Sequence, residues 1–358
     1  MDFFDLLRLS IGTTSQIPTG KDTNWDELYE MAKKQSLVGV LFAGIWKLPK
    51  AMHPEKKLLL KWYAQTEKLK EKNRQVNKAA VYIHEAFSMA GIGNCILKGQ
   101  GNALLYDDAY LRNPGDIDLW IDARKMIVEK EKLVVGKLQL HISKPEYHHV
   151  ESENVMGIPL EIHYRPSFMN NLVVNRRMQQ WYRKMAQEQF EHEVTLPEEG
   201  TITIPTPAFN LVYQLSHITH HFLKEGIGLR QIVDYFFVLK NAYGKVDVDE
   251  VTRNLKYVGL YKMAKAVMYI ERELLGLEDQ YLIAPSDERI GRFLIQEIMI
   301  GGNFGFYDPR ANRHNSQFLH NVTRLQRDMR LVSYFPSECL WEPIFRIYHF
   351  FWRRNHQL

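Results

Sequence analysis

The sequence predicts an α+β fold: a small mixed β-sheet with flanking helices, set between mostly helical N-terminal and C-terminal regions. Three observations predict it. Short apolar runs at residues 95–97 and 117–121 have the length and composition of buried strands. Residues 148–155 and 158–164 flank Met156-Gly157, the pattern of an antiparallel hairpin. Elsewhere apolar residues recur at helical spacing, as at Val76, Ala80, Ile83 and Phe87.

The elements follow in order. Gly91 and Gly93 close the helix before the first strand. Lys98-Gly99-Gln100-Gly101 breaks that strand with two glycines where backbone can approach a phosphate closely. Residues 102–106 read as the first turns of a helix, whose N-terminus offers free N–H groups and a positive dipole end to an anion. After the strand at 117–121, residues 124–133 read as a helix crossing behind the sheet, and the hairpin comes next. Strand, helix, strand, helix and hairpin together bring three strand ends into one place. Further helices are expected at 208–223, 229–242, 248–257, 261–275, 287–300 and 315–332, with Pro205 and Pro207 marking a break before them. The expected organisation is a helical region 1–90, a core 91–204 and a helical region 205–358. The chain has no internal repeat and no low-complexity tract.

Composition bounds the function classes. A 358-residue chain with 45% hydrophobic and 25% charged residues has the make-up of an ordinary globular protein. A net charge of +4 is too slight for the concentrated basic stripe of a duplex DNA binder. Two cysteines cannot build a disulfide framework and suit a reducing compartment. The start, Met1-Asp2-Phe3-Phe4-Asp5, has no basic n-region, and no segment reaches the roughly 18 to 20 uninterrupted apolar residues of a spanning helix. A cytoplasmic protein without a transmembrane segment or signal peptide is expected.

The chemistry concentrates around Arg112-Asn113-Pro114-Gly115-Asp116-Ile117-Asp118-Leu119. Side chains alternate along a strand, so Asp116 and Asp118 share a face. Two like charges that close repel. A divalent cation between them removes the repulsion, and hard oxygen ligands suit Mg²⁺ bound together with a substrate's phosphates. In Leu160-Glu161-Ile162-His163-Tyr164 the apolar residues alternate with Glu161 and His163, so the polar pair shares one strand face.

Leu97-Lys98-Gly99, Leu111-Arg112, Gly115-Asp116-Ile117-Asp118-Leu119 and Leu160-Glu161-Ile162-His163 resemble the motifs of the bacterial uncharacterised nucleotidyltransferase family, within the polymerase-beta-like nucleotidyltransferase superfamily. The similarity extends through His217, Leu229-Arg230, Asp234 and Gly302-Asn303-Phe304-Gly305. One departure is Gly99-Gln100 where the superfamily usually has Gly-Ser or Gly-Gly. The resemblance implies a nucleotidyltransferase-type sheet and transfer of a nucleoside monophosphate from NTP, ATP among them, to an acceptor hydroxyl. That acceptor is unidentified, a saccharide being one candidate. It implies Mg²⁺ or Mn²⁺ on Asp116, Asp118 and Glu161 as catalytic residues, and phosphate binding by Lys98, Gly99, Gln100, Gly101 and Arg112. Supporting roles fall to His163, Arg165, His217, Arg230 and Asp234. The alternative within the same fold is a catalytically inactive protein that binds a nucleotide or sugar phosphate and regulates.

Other features have simpler readings. Arg112 and Arg165 suit phosphate but equally suit an ion pair with a neighbouring acid, and Arg230 and Asp234 at i, i+4 can pair with each other. His217, His220 and His221 lack an H-E-x-x-H pattern and a nearby cysteine, which favours helix packing over zinc. Gly301 to Gly305 lacks the G-K-S/T ending of a nucleotide loop and reads as a tight turn closing a helix. The aromatic segment 341–352 reads as a helix packing on the helical region. Two mutational expectations follow from sequence alone: Gly99→Ala weakens NTP binding with the fold nearly intact, and Asp116→Asn or Asp118→Asn leaves the apoprotein equally or more stable.

Overall fold

The first two helices each begin on a side chain that satisfies free amides. Helices α1 (Phe3–Ser10) and α2 (Trp25–Lys34) start on Asp2 and Asn24, whose side chains accept from the N–H groups of Asp5 and Glu27. Helix α3 (Val38–Trp46) is apolar almost throughout and buried. Helix α4 (Lys56–Met89) is the longest element, and its last turns carry the Val76, Ala80, Ile83 and Phe87 stripe. This computed structural model describes residues 1–17, 23–125, 127–129, 132–135, 138–310 and 317–355.

Strand β1 (Asn94–Ile96) leads through a glycine turn into the single-turn helix α5 (Gln100–Ala103) and then to strand β2 (Ile117–Ile121). The helix expected at 124–133 is not formed. Where that stretch is described it holds strands β3 (Ile127–Glu129) and β4 (Lys132–Val135), which with β5 (Leu138–His141) make an antiparallel three-stranded sheet. The β-branched Ile127, Val128, Val134 and Val135 prefer extended backbone. The hairpin β6 (His149–Val155) and β7 (Ile158–His163) turns on Met156 and Gly157, both at positive φ, as a two-residue primed turn requires.

Helix α6 (Leu172–Glu191) and the small hairpin of β8 (Glu193–Leu196) and β9 (Gly200–Thr203) come next. The helical remainder comprises α7 (Pro207–Lys224), α8 (Leu229–Ala242), α9 (Val248–Tyr257), α10 (Tyr261–Glu273), α11 (Glu288–Gly301), α12 (Gln317–Leu331) and α13 (Pro336–Asn355). Residues 315 and 316 of the expected helix 315–332 lie outside the described residues. Pro207 opens α7 at a position where a missing N–H costs nothing. No helix among the described residues is long and apolar enough to cross a membrane.

The main sheet is mixed, in the order β1-β2-β7-β6. Its outer pairs are antiparallel, and its central pair, β2 with β7, is parallel, with Asp118 opposite Glu161 and Trp120 opposite His163. Alternation along these strands separates two faces. Ile117, Leu119, Ile121, Leu160 and Ile162 pack with the end of α4 in one core cluster. Cys95, Leu97 and Trp120 join the larger core that also unites α1–α3 with α7–α11. There Trp120 stacks on Phe209 with ring centroids 5.5 Å apart, leaving the polar ends of β2 and β7 beside the helices.

Helix α13 docks through one face. Tyr147 sits edge-on to Phe345 and Trp352, while Leu340, Ile344 and Ile347 are exposed. Buried Glu338 ties it to the start of α6, accepting the Asn170 N–H at 2.6 Å. Burial raises the Glu338 pKa to about 7, against the smaller downward pull of the Asn170 and Asn171 amides. The folded-state value lies above the unfolded one, so this contribution to stability is complete below the ordinary glutamate range and is lost as pH rises through about 7. Glu338→Gln keeps the acceptor and abolishes the titration. Denaturant midpoints across pH 5 to 9 should therefore fall less for the variant than for the parent, and parallel curves would refute the assignment.

Candidate active site

The turn after β1 selects its residues by backbone conformation. Gly99 has φ +67° and ψ −105°, and only the Asp116 carbonyl oxygen, at 4.0 Å, lies near where a Cβ would sit. A side chain there is strained by the backbone rather than by crowding. Lys98 and Gly99 line a cleft of about 280 Å³ whose walls also include Asp116, Asp118, Glu161, His163, His217 and Arg230. Gln100 and Gly101 are not part of that lining. Gln100 turns away to donate to Asn77 Oδ1 on α4, and Gly101 lies so close to Ile204 that a Cβ would meet its side chain at 2.9 Å. With only one turn, α5 also carries little of the macrodipole that a longer helix would offer.

The acidic residues converge because β2 and β7 run parallel and in register. Asp118 is fully buried, and its Oδ1 lies 3.0 Å from His163 Nε2. The same nitrogen lies 3.3 Å from Glu161 Oε2. Lys98 Nζ sits 3.1 Å from Asp118 Oδ2 in an ion pair outside hydrogen-bond alignment. Burial pushes the Asp118 carboxyl up, but Lys98 and His163 more than offset it and hold it below the usual range. Glu161 is likewise raised by burial and lowered further by its His163 contact. Burial lowers His163, yet its bonds to the two carboxylates win and carry it to about 9. Lys98 follows the same balance, its burial outweighed by Asp118, Asp116 and Glu161.

One ligand atom each from Asp118, Glu161 and His163 lies within 4.8 Å of the others, and the same holds for His148, His149 and His163. Carboxylate oxygens with one imidazole form a donor set suited to a divalent cation. The buried Asp118 Oδ2, without a hydrogen-bond partner among the described residues, is consistent with such a ligand. Asp116 lies in the cleft wall just before β2 and belongs to neither group.

The two arginines expected near phosphate have other partners. Arg112 is buried and bidentate to Asp234 on α8, with Nε to Oδ1 and Nη2 to Oδ2 both at 2.8 Å. Tyr106 donates to the same carboxylate at 2.7 Å. Arg230 therefore does not pair with Asp234 at i, i+4. Its Nη1 donates instead to Asn113 O at 2.9 Å, and its buried Nε has no hydrogen-bond partner among the described residues. Arg165 lies outside the cleft, bonded to Tyr147 O and placed over the Tyr147 ring at 4.4 Å.

His217 and His220 line the cleft, each held well below the usual histidine range, chiefly by burial. His221 pairs with Glu225 at 2.5 Å. The turn after α11 is a helix stop, as expected, and it also delivers Asn303 and Phe304 to the cleft. The sequence reading missed His148 and His149. The available signal was a His-His pair at the start of one hairpin strand, facing Glu-Ile-His on the other.

Two outcomes test this architecture. Asp234→Ala strands the Arg112 guanidinium in a dry site and should cost about 3–5 kcal/mol in chemical denaturation. The double replacement Arg112→Met with Asp234→Leu should recover much of that loss, and equal instability of both variants would count against the pair. Gly99→Ala should lower stability by about 1–3 kcal/mol through backbone strain. An unchanged melting temperature would show that the turn relaxes.

A structure search finds similarity to a crystal structure of an antigenic nucleotidyltransferase-like protein from Paracoccidioides brasiliensis. The two are 13% identical with a TM-score of 0.34, over 61% of this chain and 97% of that one. No curated protein matches the chain. The model of the uncharacterised nucleotidyltransferase family matches residues 21–276, most of the elements just described, and the chain belongs to that family.

Proposed function

We propose that this protein is an enzyme that moves a nucleoside monophosphate from an NTP to an acceptor hydroxyl. The observation that carries the reading is the register of β2 and β7, which sets Asp118 beside Glu161 at a cleft that Lys98 and Gly99 also line. Asp118 and Glu161, with Asp116 from the cleft wall, hold Mg²⁺ or Mn²⁺. When bound, the cation supplies charge neutralisation at the triphosphate oxygens and lowers the pKa of a coordinated hydroxyl.

The chain's own groups do the rest. The acceptor oxygen forms a bond to the α-phosphorus, the bond from that phosphorus to the bridging oxygen breaks, and pyrophosphate leaves. Glu161, half-buried and held ionised, takes the acceptor's proton. Lys98 neutralises the departing charge. Arg230 supplies the second positive charge, a role that falls to it because Arg112 is already neutralised by Asp234. Arg112 acts instead as a positioning residue for the Asn113–Gly115 approach to Asp116. The acceptor is a hydroxyl-bearing compound, with a saccharide as one candidate.

A second reading, binding of a nucleotide or sugar phosphate without turnover, draws support from the way Lys98 and His163 already balance the carboxylates. Pyrophosphate release and melting temperature, measured over the four NTPs with and without Mg²⁺, separate the two. For Asp118→Asn, pyrophosphate release should fall by orders of magnitude and the Mg²⁺-dependent stabilisation by NTP should disappear. The apoprotein should lose stability, because Lys98 and His163 lose their buried counter-charge. This reverses the expectation from sequence that relief of repulsion dominates. Stabilisation without release would leave the binding reading, and neither effect in the parent protein would end both.

A further inference from the structure

Behind the carboxylate pair the hairpin gathers imidazoles that the proposed transfer reaction does not use. His148 and His149 enter at the start of β6, and the register places His149 opposite His163 at the end of β7. The rings of His148 and His149 lie 4.3 Å apart, and that of His163 lies 5.2 Å from His149. The ring of His220, on α7, lies 5.6 Å from His148.

Three ring nitrogens, one from each of His148, His149 and His163, fall within 4.8 Å of one another. The shortest separation, His149 Nδ1 to His148 Nε2, is 3.1 Å. Tetrahedral metal–nitrogen bonds of about 2.0–2.1 Å require nitrogens about 3.3 Å apart, so the pair is already near ligand spacing. A second observation concerns His163, whose Nδ1 is buried and has no hydrogen-bond partner among the described residues. Uncompensated burial of a ring nitrogen is costly unless a ligand satisfies it.

We propose that His148, His149 and His163 form an imidazole site for a Zn²⁺-type divalent metal, distinct in donor chemistry from the carboxylate site beside it. Imidazole ligands favour Zn²⁺ and Co²⁺, whereas Mg²⁺ prefers oxygen and retains its water. Three imidazoles leave a fourth position open, and all three histidines line the cleft. His163 belongs to both donor sets, so occupancy of one site bears on the other. The site does not depend on nucleotidyl transfer, and it holds equally for a binding protein.

The test uses the full chain, stripped with a chelator and titrated with Co²⁺ and Zn²⁺ in a large excess of Mg²⁺. The Co²⁺ form should show the intense visible absorption of a tetrahedral nitrogen site, and Zn²⁺ should displace the Co²⁺. His149→Gln should weaken Zn²⁺ binding by at least about tenfold, whereas Asp116→Asn, outside both ligand groups, should leave it within about twofold while lowering Mg²⁺-dependent pyrophosphate release. X-ray absorption of the Zn²⁺-loaded parent chain requires no variant and should give a nitrogen shell with three imidazoles. The proposal is overturned if Mg²⁺ outcompetes Co²⁺, if the metal shell holds fewer than three imidazoles, or if Asp116→Asn and His149→Gln weaken Zn²⁺ equally. The last outcome would mean a single site on the carboxylates.

Discussion

The parallel pairing of β2 with β7 is the constraint on which the rest depends. Antiparallel neighbours can be joined by a tight turn, but parallel ones need a long connection. Here that connection contains the β3–β5 sheet and the first strand of the hairpin. Once the register sets Asp118 opposite Glu161, the strands' period of two decides everything else on the sheet. One face must be aliphatic to receive α4, and the other must end in charge where the aromatic packing around Trp120 stops. A slip of one residue would bury the acids against α4 and put Ile162 in the cleft.

Placing two carboxylates in a dry site demands positive charge nearby, and the structure supplies it from both flanking directions. Lys98 arrives from the end of β1 and His163 from two residues beyond Glu161. Burial alone would lower both cations and raise both acids, yet every one of the four shifts goes the other way. Mutual attraction therefore outweighs desolvation across the cluster.

The Arg112–Asp234 pair performs a related task at longer range. It joins the approach to β2 with helix α8, and Tyr106 completes the acceptor side of the carboxylate. Asn73 on α4 donates to the carbonyls of Tyr110 and Arg112, each at 2.8 Å, and Arg230 donates to that of Asn113. Side chains of α4 and α8 thus fix the few residues before Asp116. Buried ion pairs of this kind add little net stability but penalise every arrangement that separates the partners, which suits a segment that must hold one geometry.

The sequence by itself determined the α+β class, the hairpin with its Met156-Gly157 turn, and the strand that carries Asp118, because local periodicity and turn chemistry encode all of these; Asp116, expected on the same strand, lies just before it. It also brought Glu161 and His163 to one face, since alternation on a strand is local. It misread residues 124–133, where β-branched Ile127 and Val128 favour the extended backbone that the structure adopts. Tertiary structure alone decided the partners. Arg112 and Asp234 are far apart in the chain, and nothing local tells an arginine whether its nearest anion will be a phosphate or a carboxylate. Gln100 and Gly101 follow Gly99 where a phosphate turn is expected, yet packing against Asn77 and Ile204 turns them away from the cleft. The imidazoles of His148 and His149 meet His163 only because the hairpin closes in that register, and register is set by which side of the strand finds a core.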